Sequence, residues 1–162
     1  MKNRALYMNG KLNLAFKELD IPKPQHGEVL LKIGYCGVCG SDVHFYESGC
    51  IGTTPIKGDL ILGHEAAGTV EAVGEGVTNV KVGDRVVLEP GIGCGHCEYC
   101  KSGRYNLCPD MQFISCPPYQ GAMRNYITHP AHLVYPLPEN VSALEGALIA
   151  GICSAGGDVM PL

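Results

Sequence analysis

Apolar residues fall in short runs broken by glycine, proline and asparagine, a pattern of strands rather than long helices. Residues 5–8 and 12–16 are expected strands, joined by a turn at Asn9-Gly10, a strong hairpin dipeptide. Ile21-Pro22-Lys23-Pro24 reads as an extended connector. Residues 28–35, rich in Val, Leu and Ile, form a strand buried on one face. Residues 69–73 alternate as a strand, Gly74-Glu75-Gly76 is a turn, and residues 80–88 are a turn feeding another strand. Residues 122–128 and 132–135 complete the expected set.

Helical signals are few. Ser41 or Asp42 is placed to cap a short helix ending near Glu47, in which Ser41 and His44 share a face. Asn140 or Ser142 can cap a second, with Glu145 in the capping-box position relative to Ser142. The pattern predicts a mainly β fold with short helices, an irregular small β-barrel. Residues 150–162 are small, glycine-rich and weakly patterned, and are not expected in the core.

Composition narrows this reading. The 162 residues suit one domain with a real core, and 22 glycines and 11 prolines make it turn-rich. A net charge of −4 argues against a dedicated nucleic-acid or anionic-membrane surface. The first residues lack the apolar core of a signal peptide, and no run approaches a membrane span. Nine cysteines in such a chain point to a reduced, cytoplasmic, metal-binding protein rather than a disulfide scaffold.

Four of those cysteines, Cys94, Cys97, Cys100 and Cys108, are spaced three, three and eight apart. With Gly93, Gly95 and Gly103 permitting tight turns, one short lobe over 91–109 can fold four thiolates around one ion. Zn²⁺ suits that set best; two disulfides or an iron–sulfur cluster remain alternatives. Cys39, His64 and Glu65 form a second candidate set, a thiolate, an imidazole and a carboxylate with a fourth position open, as in a catalytic zinc site. The competing reading is ordinary packing. Cys36-x-x-Cys39 also permits thiol redox chemistry, although the βαβ context of such motifs is missing.

Gly63-His64-Glu65-x-x-Gly68-x5-Gly74-x-x-Val77 resembles the zinc signature of the medium-chain alcohol dehydrogenase superfamily. Cys39-Gly40-Ser41-Asp42-Val43-His44 is similar to its first catalytic-zinc segment, and the stretch from Cys94 to Cys108 to its structural zinc loop. Leu88-Glu89-Pro90-Gly91 and Glu145-Gly146-Ala147-Leu148-Ile149 favour the polyol branch, of the sorbitol and xylitol type. The resemblance implies a GroES-like catalytic domain over 1–149. Cys39, His64 and Glu65 would surround a catalytic Zn²⁺, and Cys94, Cys97, Cys100 and Cys108 a structural one. Ser41 would hydrogen-bond the substrate hydroxyl and pass its proton toward His44. Phe45, Tyr46 and Phe113 would line an apolar side of a polyol or alcohol pocket, unless they are plain core aromatics. Cys36, Cys50, Cys116 and Cys153 match no ligand position.

The resemblance stops at Ala150-Gly151, where polyol dehydrogenases continue with Glu-Pro and where that Glu reaches the catalytic zinc. Gly34-x-x-Gly37-x-x-Gly40, Gly91-x-Gly93 and Gly156-Gly157 do not supply the Gly-x-Gly-x-x-Gly of a Rossmann domain. The expectation is therefore a truncated catalytic domain with an atypical tail over 150–162. It would be inactive alone, would bind NAD(P) poorly, and would self-associate through the face a cofactor domain covers. The alternatives are a non-catalytic zinc-binding interaction module, or activity by complementation with a separate cofactor domain.

Overall fold

The computed structural model describes residues 2–154, with side chains through residue 150. In chain order the elements are β1 (Asn3–Met8), β2 (Leu14–Leu19), β3 (Glu28–Cys36), α1 (Gly40–Ser48), β4 (Cys50–Ile51), β5 (Thr54–Pro55), β6 (Leu60–Ile61) and β7 (Ala66–Val73). They continue with β8 (Arg85–Leu88), β9 (Gly91–Ile92), α2 (Glu98–Lys101), β10 (Gln112–Phe113), β11 (Tyr126–Pro130), β12 (Val134–Pro136) and α3 (Ala143–Ser154). Two 3₁₀ turns lie at Tyr105–Leu107 and Ala131–Leu133.

A five-stranded antiparallel sheet, β11-β3-β7-β8-β12, carries the main core, and β2-β1-β6 forms a second sheet. They meet at a seam where Ala5 bridges Arg124 and the Leu6 N–H donates to the Met123 carbonyl at 2.8 Å. Asn3, fully buried, closes the same seam by exchanging two amide hydrogen bonds with the Tyr126 backbone. Among the described residues the sheets do not close into a continuous barrel. The fold is nevertheless mainly β with three short helices, as the short apolar runs predict.

Tertiary context moves several boundaries. β2 begins at Leu14 rather than at residue 12, because the turn widens to five residues, with Gly10 and Leu12 both in the left-handed region. β3 is an inner strand, paired on both sides by β11 and β7, and Val29, Leu30 and Leu31 are all buried rather than one face alone. The expected strand over 122–128 starts only at Tyr126, and the one over 132–135 is a 3₁₀ turn followed by β12. α1 is capped by Cys39, not by Ser41 or Asp42. The Ser142–Glu145 capping box forms as expected, with the Ser142 N–H on Glu145 Oε2 at 2.8 Å. α3 runs unbroken through position 150, and Ala150 is buried, contrary to the expectation that it stays out of the core. It packs where β7 and β8 need a cover. Residues 155–162 lie outside the described residues.

Candidate metal centres

The lobe folds as one local unit. β9 leads into it, β10 leads out, and the two pair antiparallel, Gln112 with Ile92 and Phe113 with Gly91. Inside, the Sγ atoms of Cys94, Cys97, Cys100 and Cys108 all lie within 4.8 Å of one another. Backbone N–H groups point at the sulfurs: Cys97 to Cys94 Sγ, Cys100 to Cys97 Sγ and Cys94 to Cys108 Sγ, each at 3.4 Å. N–H groups of His96 and Cys97 hold the Cys94 thiol down to about 6. The Gly95 N–H favours the Cys100 thiolate too, but desolvation and the neighbouring sulfurs push that thiol up to about 12. Four adjacent thiols do not all ionise without a cation among them, so the donor set fits a bound metal. A disulfide would need about 2.05 Å between sulfurs, whereas Cys94 and Cys100 stand 4.0 Å apart and all four cysteines are free. His96 and Asp110, both exposed, also approach Cys94.

The second set is assembled from two separate segments. Cys39 arrives on the turn between β3 and α1, and His64-Glu65 on the link between β6 and β7. Their ligand atoms again lie within 4.8 Å of one another, and His64 is buried. Two glycines make this approach possible. Gly63, at φ 86°, turns the chain into His64 in a conformation costly for other residues. A Cβ on Gly37 would overlap the Glu65 carboxylate, and the Gly37 N–H donates to the Glu65 carbonyl at 2.7 Å.

Asp42, read from the sequence only as a possible helix cap, turns out to join these segments. It is buried, with Oδ2 accepting the Cys39 N–H at 3.1 Å and Oδ1 accepting the Gly63 N–H at 3.1 Å. The Ser115 hydroxyl donates to the same Oδ1 at 3.2 Å. Nothing in the chain's spacing marks Ser115. Its only signal is three-dimensional: a buried, non-glycine residue at φ 69°.

Ser41, half-buried, and His44, exposed, sit three residues apart on α1, immediately after Cys39. Of the three aromatics, Phe113 is at the site, edge-on to the His64 ring at 5.2 Å and 62°. Phe45 is instead core, packed with Met8, Leu60 and Leu62, and Tyr46 packs against that cluster. Burial, with the Asp42 and Glu65 charges, pushes the Cys36 thiol up to about 12, the opposite of a redox-active thiol. Ala150 lines a mostly apolar cavity of about 390 Å³ with Val87, Leu88, Tyr135 and Ile149.

The alcohol dehydrogenase GroES-like domain family matches residues 25–139. The chain belongs to that family. It is 47% identical over 146 residues to a sorbitol dehydrogenase of Bacillus subtilis, covering 90% of this chain and 41% of that protein. It is 45% identical over 150 residues to a probable D-xylulose reductase A of Aspergillus fumigatus, covering 91% and 42%. Among solved structures, an Escherichia coli oxidoreductase/dehydrogenase of unknown specificity superposes with a TM-score of 0.86 at 45% identity, covering 92% of this chain and 44% of that one. The chain thus spans about two-fifths of the length of the curated relatives it matches. Its relatives are polyol and alcohol dehydrogenases, and its cysteine cluster can bind a metal. No helix among the described residues is long and apolar enough to cross a membrane.

Proposed function

We propose that this GroES-like domain is the alcohol-activating part of a zinc- and NAD(P)-dependent polyol dehydrogenase. The observation that carries the reading is the convergence of Cys39, His64 and Glu65, from two segments, within 4.8 Å. A thiolate, an imidazole and a carboxylate leave a fourth position of a tetrahedral ion for substrate. When bound there, Zn²⁺ supplies Lewis acidity, which lowers the pKa of a secondary alcohol so that hydride can leave its carbon. Ser41 would accept the alcohol proton on its hydroxyl oxygen while releasing its own hydroxyl proton toward His44, with cofactor hydroxyls completing the relay. His44, one turn on and in solvent, carries that proton out of the site. Phe113 forms the apolar wall beside His64. Cys94, Cys97, Cys100 and Cys108 would hold a structural zinc; the 4.0 Å between Cys94 Sγ and Cys100 Sγ compares with about 3.8 Å for a tetrahedral edge built from Zn–S bonds. A saturated tetrathiolate has no open position and takes no part in the chemistry.

In this reading the hydride acceptor is held by a dinucleotide-binding domain beyond the 162 residues, and the domain alone is inactive. Exposed apolar side chains along α3, Leu144, Leu148 and Ile149, support self-association when such a face is left open. The free cysteines suit a cytoplasmic, reducing setting. The test is a Co²⁺-substituted chain titrated with sorbitol or xylitol. The expected result is two cobalts per chain, with the polyol shifting only the ligand-field bands of the Cys39–His64–Glu65 site. Bands that ignore every polyol and simple alcohol would contradict the proposal.

A further inference from the structure

We propose that Ser115 is a positioning residue for the Cys39–His64–Glu65 site, acting through Asp42, and that the cysteine lobe holds Ser115 in place. The inference rests on the reading of that site as a metal centre. Its first support is the polar cluster. Asp42 Oδ1 has two donors, the Gly63 N–H and the Ser115 hydroxyl, and both Asp42 and Ser115 are buried. Removing the hydroxyl leaves that oxygen one partner in a place water does not reach freely. Asp42 is then held by two N–H groups instead of three donors, and its hold on the Gly63 backbone that delivers His64 and on the Cys39 N–H loosens. Hydrogen-bond partners behind metal ligands set ligand orientation in this way.

The second support is the backbone. Ser115 lies at φ 69°, a conformation an L residue holds only when its surroundings fix it. Those surroundings are the exit of the lobe. Cys94 follows β9 and Cys108 precedes β10 on the lobe side of that ribbon, joined by the Cys94 N–H on Cys108 Sγ at 3.4 Å, and the Met111 N–H donates to the Cys108 carbonyl at 3.3 Å. Beyond β10 the Ile114 N–H donates to the Pro90 carbonyl at 3.2 Å, and Ile114 is buried in the main core. The same ribbon presents Phe113 to His64 and Ser115 to Asp42. Closing the lobe around an ion therefore fixes two contacts that orient the other site.

The test uses the whole chain and Co²⁺ as probe, read by ligand-field absorption, with Ser115→Ala and Ser115→Gly as variants. Ser115→Gly keeps the left-handed backbone without strain, so a loss common to both variants belongs to the hydroxyl. Both are expected to weaken Co²⁺ at the Cys39–His64–Glu65 site by about 10- to 100-fold and to shift its bands. The tetrathiolate bands and affinity stay unchanged. Cys108→Ser, which opens the lobe, is expected to weaken the other site as well. Unchanged second-site affinity, loss in only one Ser115 variant, or an equal loss at the lobe overturns the proposal. A wild-type chain that takes cobalt only in the lobe fails at the prior step, the metal reading itself, and brings this inference down with it.

Discussion

The two donor sets are built on opposite plans. The lobe gathers four sulfurs from fifteen consecutive residues and orients them with its own N–H groups. The other set joins a helix cap to a link between strands, and depends on Asp42, Gly37, Gly63 and Ser115 to bring three donors together. A local site needs only its own turns. An assembled site inherits every weakness of the sheets that carry it. The first plan suits a fixed, saturated ion, and the second a centre that keeps one position open.

The contrast is easiest to break at Cys108, the buried member of the lobe. Cys108→Ser is expected to cost about 4 kcal/mol or more, the range of a lost structural metal. Thermal unfolding and zinc content check it; a variant that keeps wild-type stability would mean that the lobe is not a structural centre.

Next in size is an effect confined to the sheet. His129 on β11 is buried, with Nε2 on the Glu89 carbonyl at 2.8 Å. Burial lowers its pKa from 6.5 to about 4, the Glu89 carbonyl opposing that shift and nearby His132 adding to it. The folded state therefore binds its proton later than the unfolded chain. The associated stability is full above about pH 6.5 and is lost as pH falls toward 4, amounting to roughly 3 kcal/mol. Denaturant unfolding across that window should show the fall in wild type and a flatter profile in His129→Gln.

Gly37→Ala separates the two sites most cleanly. Its Cβ would displace the Glu65 carboxylate, at a cost of about 2 kcal/mol. Metal analysis should find the assembled site weakened and the lobe intact. The smallest effect is expected from Phe113→Leu, which removes the ring edge from His64 and about 1 kcal/mol with it. A double-mutant cycle with His64 measures that term.

Legibility followed the same division. The lobe was readable because its chemistry is written in adjacent cysteines, with the glycines that let the chain circle them. Cys39, His64 and Glu65 were candidates by ligand type, with ordinary packing as the competing reading, and family likeness singled them out; spacing alone could not bring residues 39 and 64 together. Asp42 looked like a possible N-cap because it is a short acidic residue after a glycine turn; the structure places it at the third helical position after Cys39, and its bond to the Gly63 N–H is invisible in the sequence. Ser115 carried no sequence signal at all, since its role depends on a ribbon two residues long. Ala150 looked peripheral because small residues lack a pattern, yet it is buried on α3, which packs on β7 and β8. Phe45, left open between pocket wall and core, takes the core reading: an aromatic next to candidate ligands that simply packs.

The central claim is that the local site holds its metal independently while the assembled site holds its own only through the fold. The most direct measurement is chelator titration of the zinc-loaded chain, read by native mass spectrometry with thiol alkylation. Two zincs are expected at the start. The first is lost as Cys39 becomes open to alkylation, with Cys94, Cys97, Cys100 and Cys108 still protected. Release from the lobe first, or labelling of all five cysteines in a single step, would contradict it.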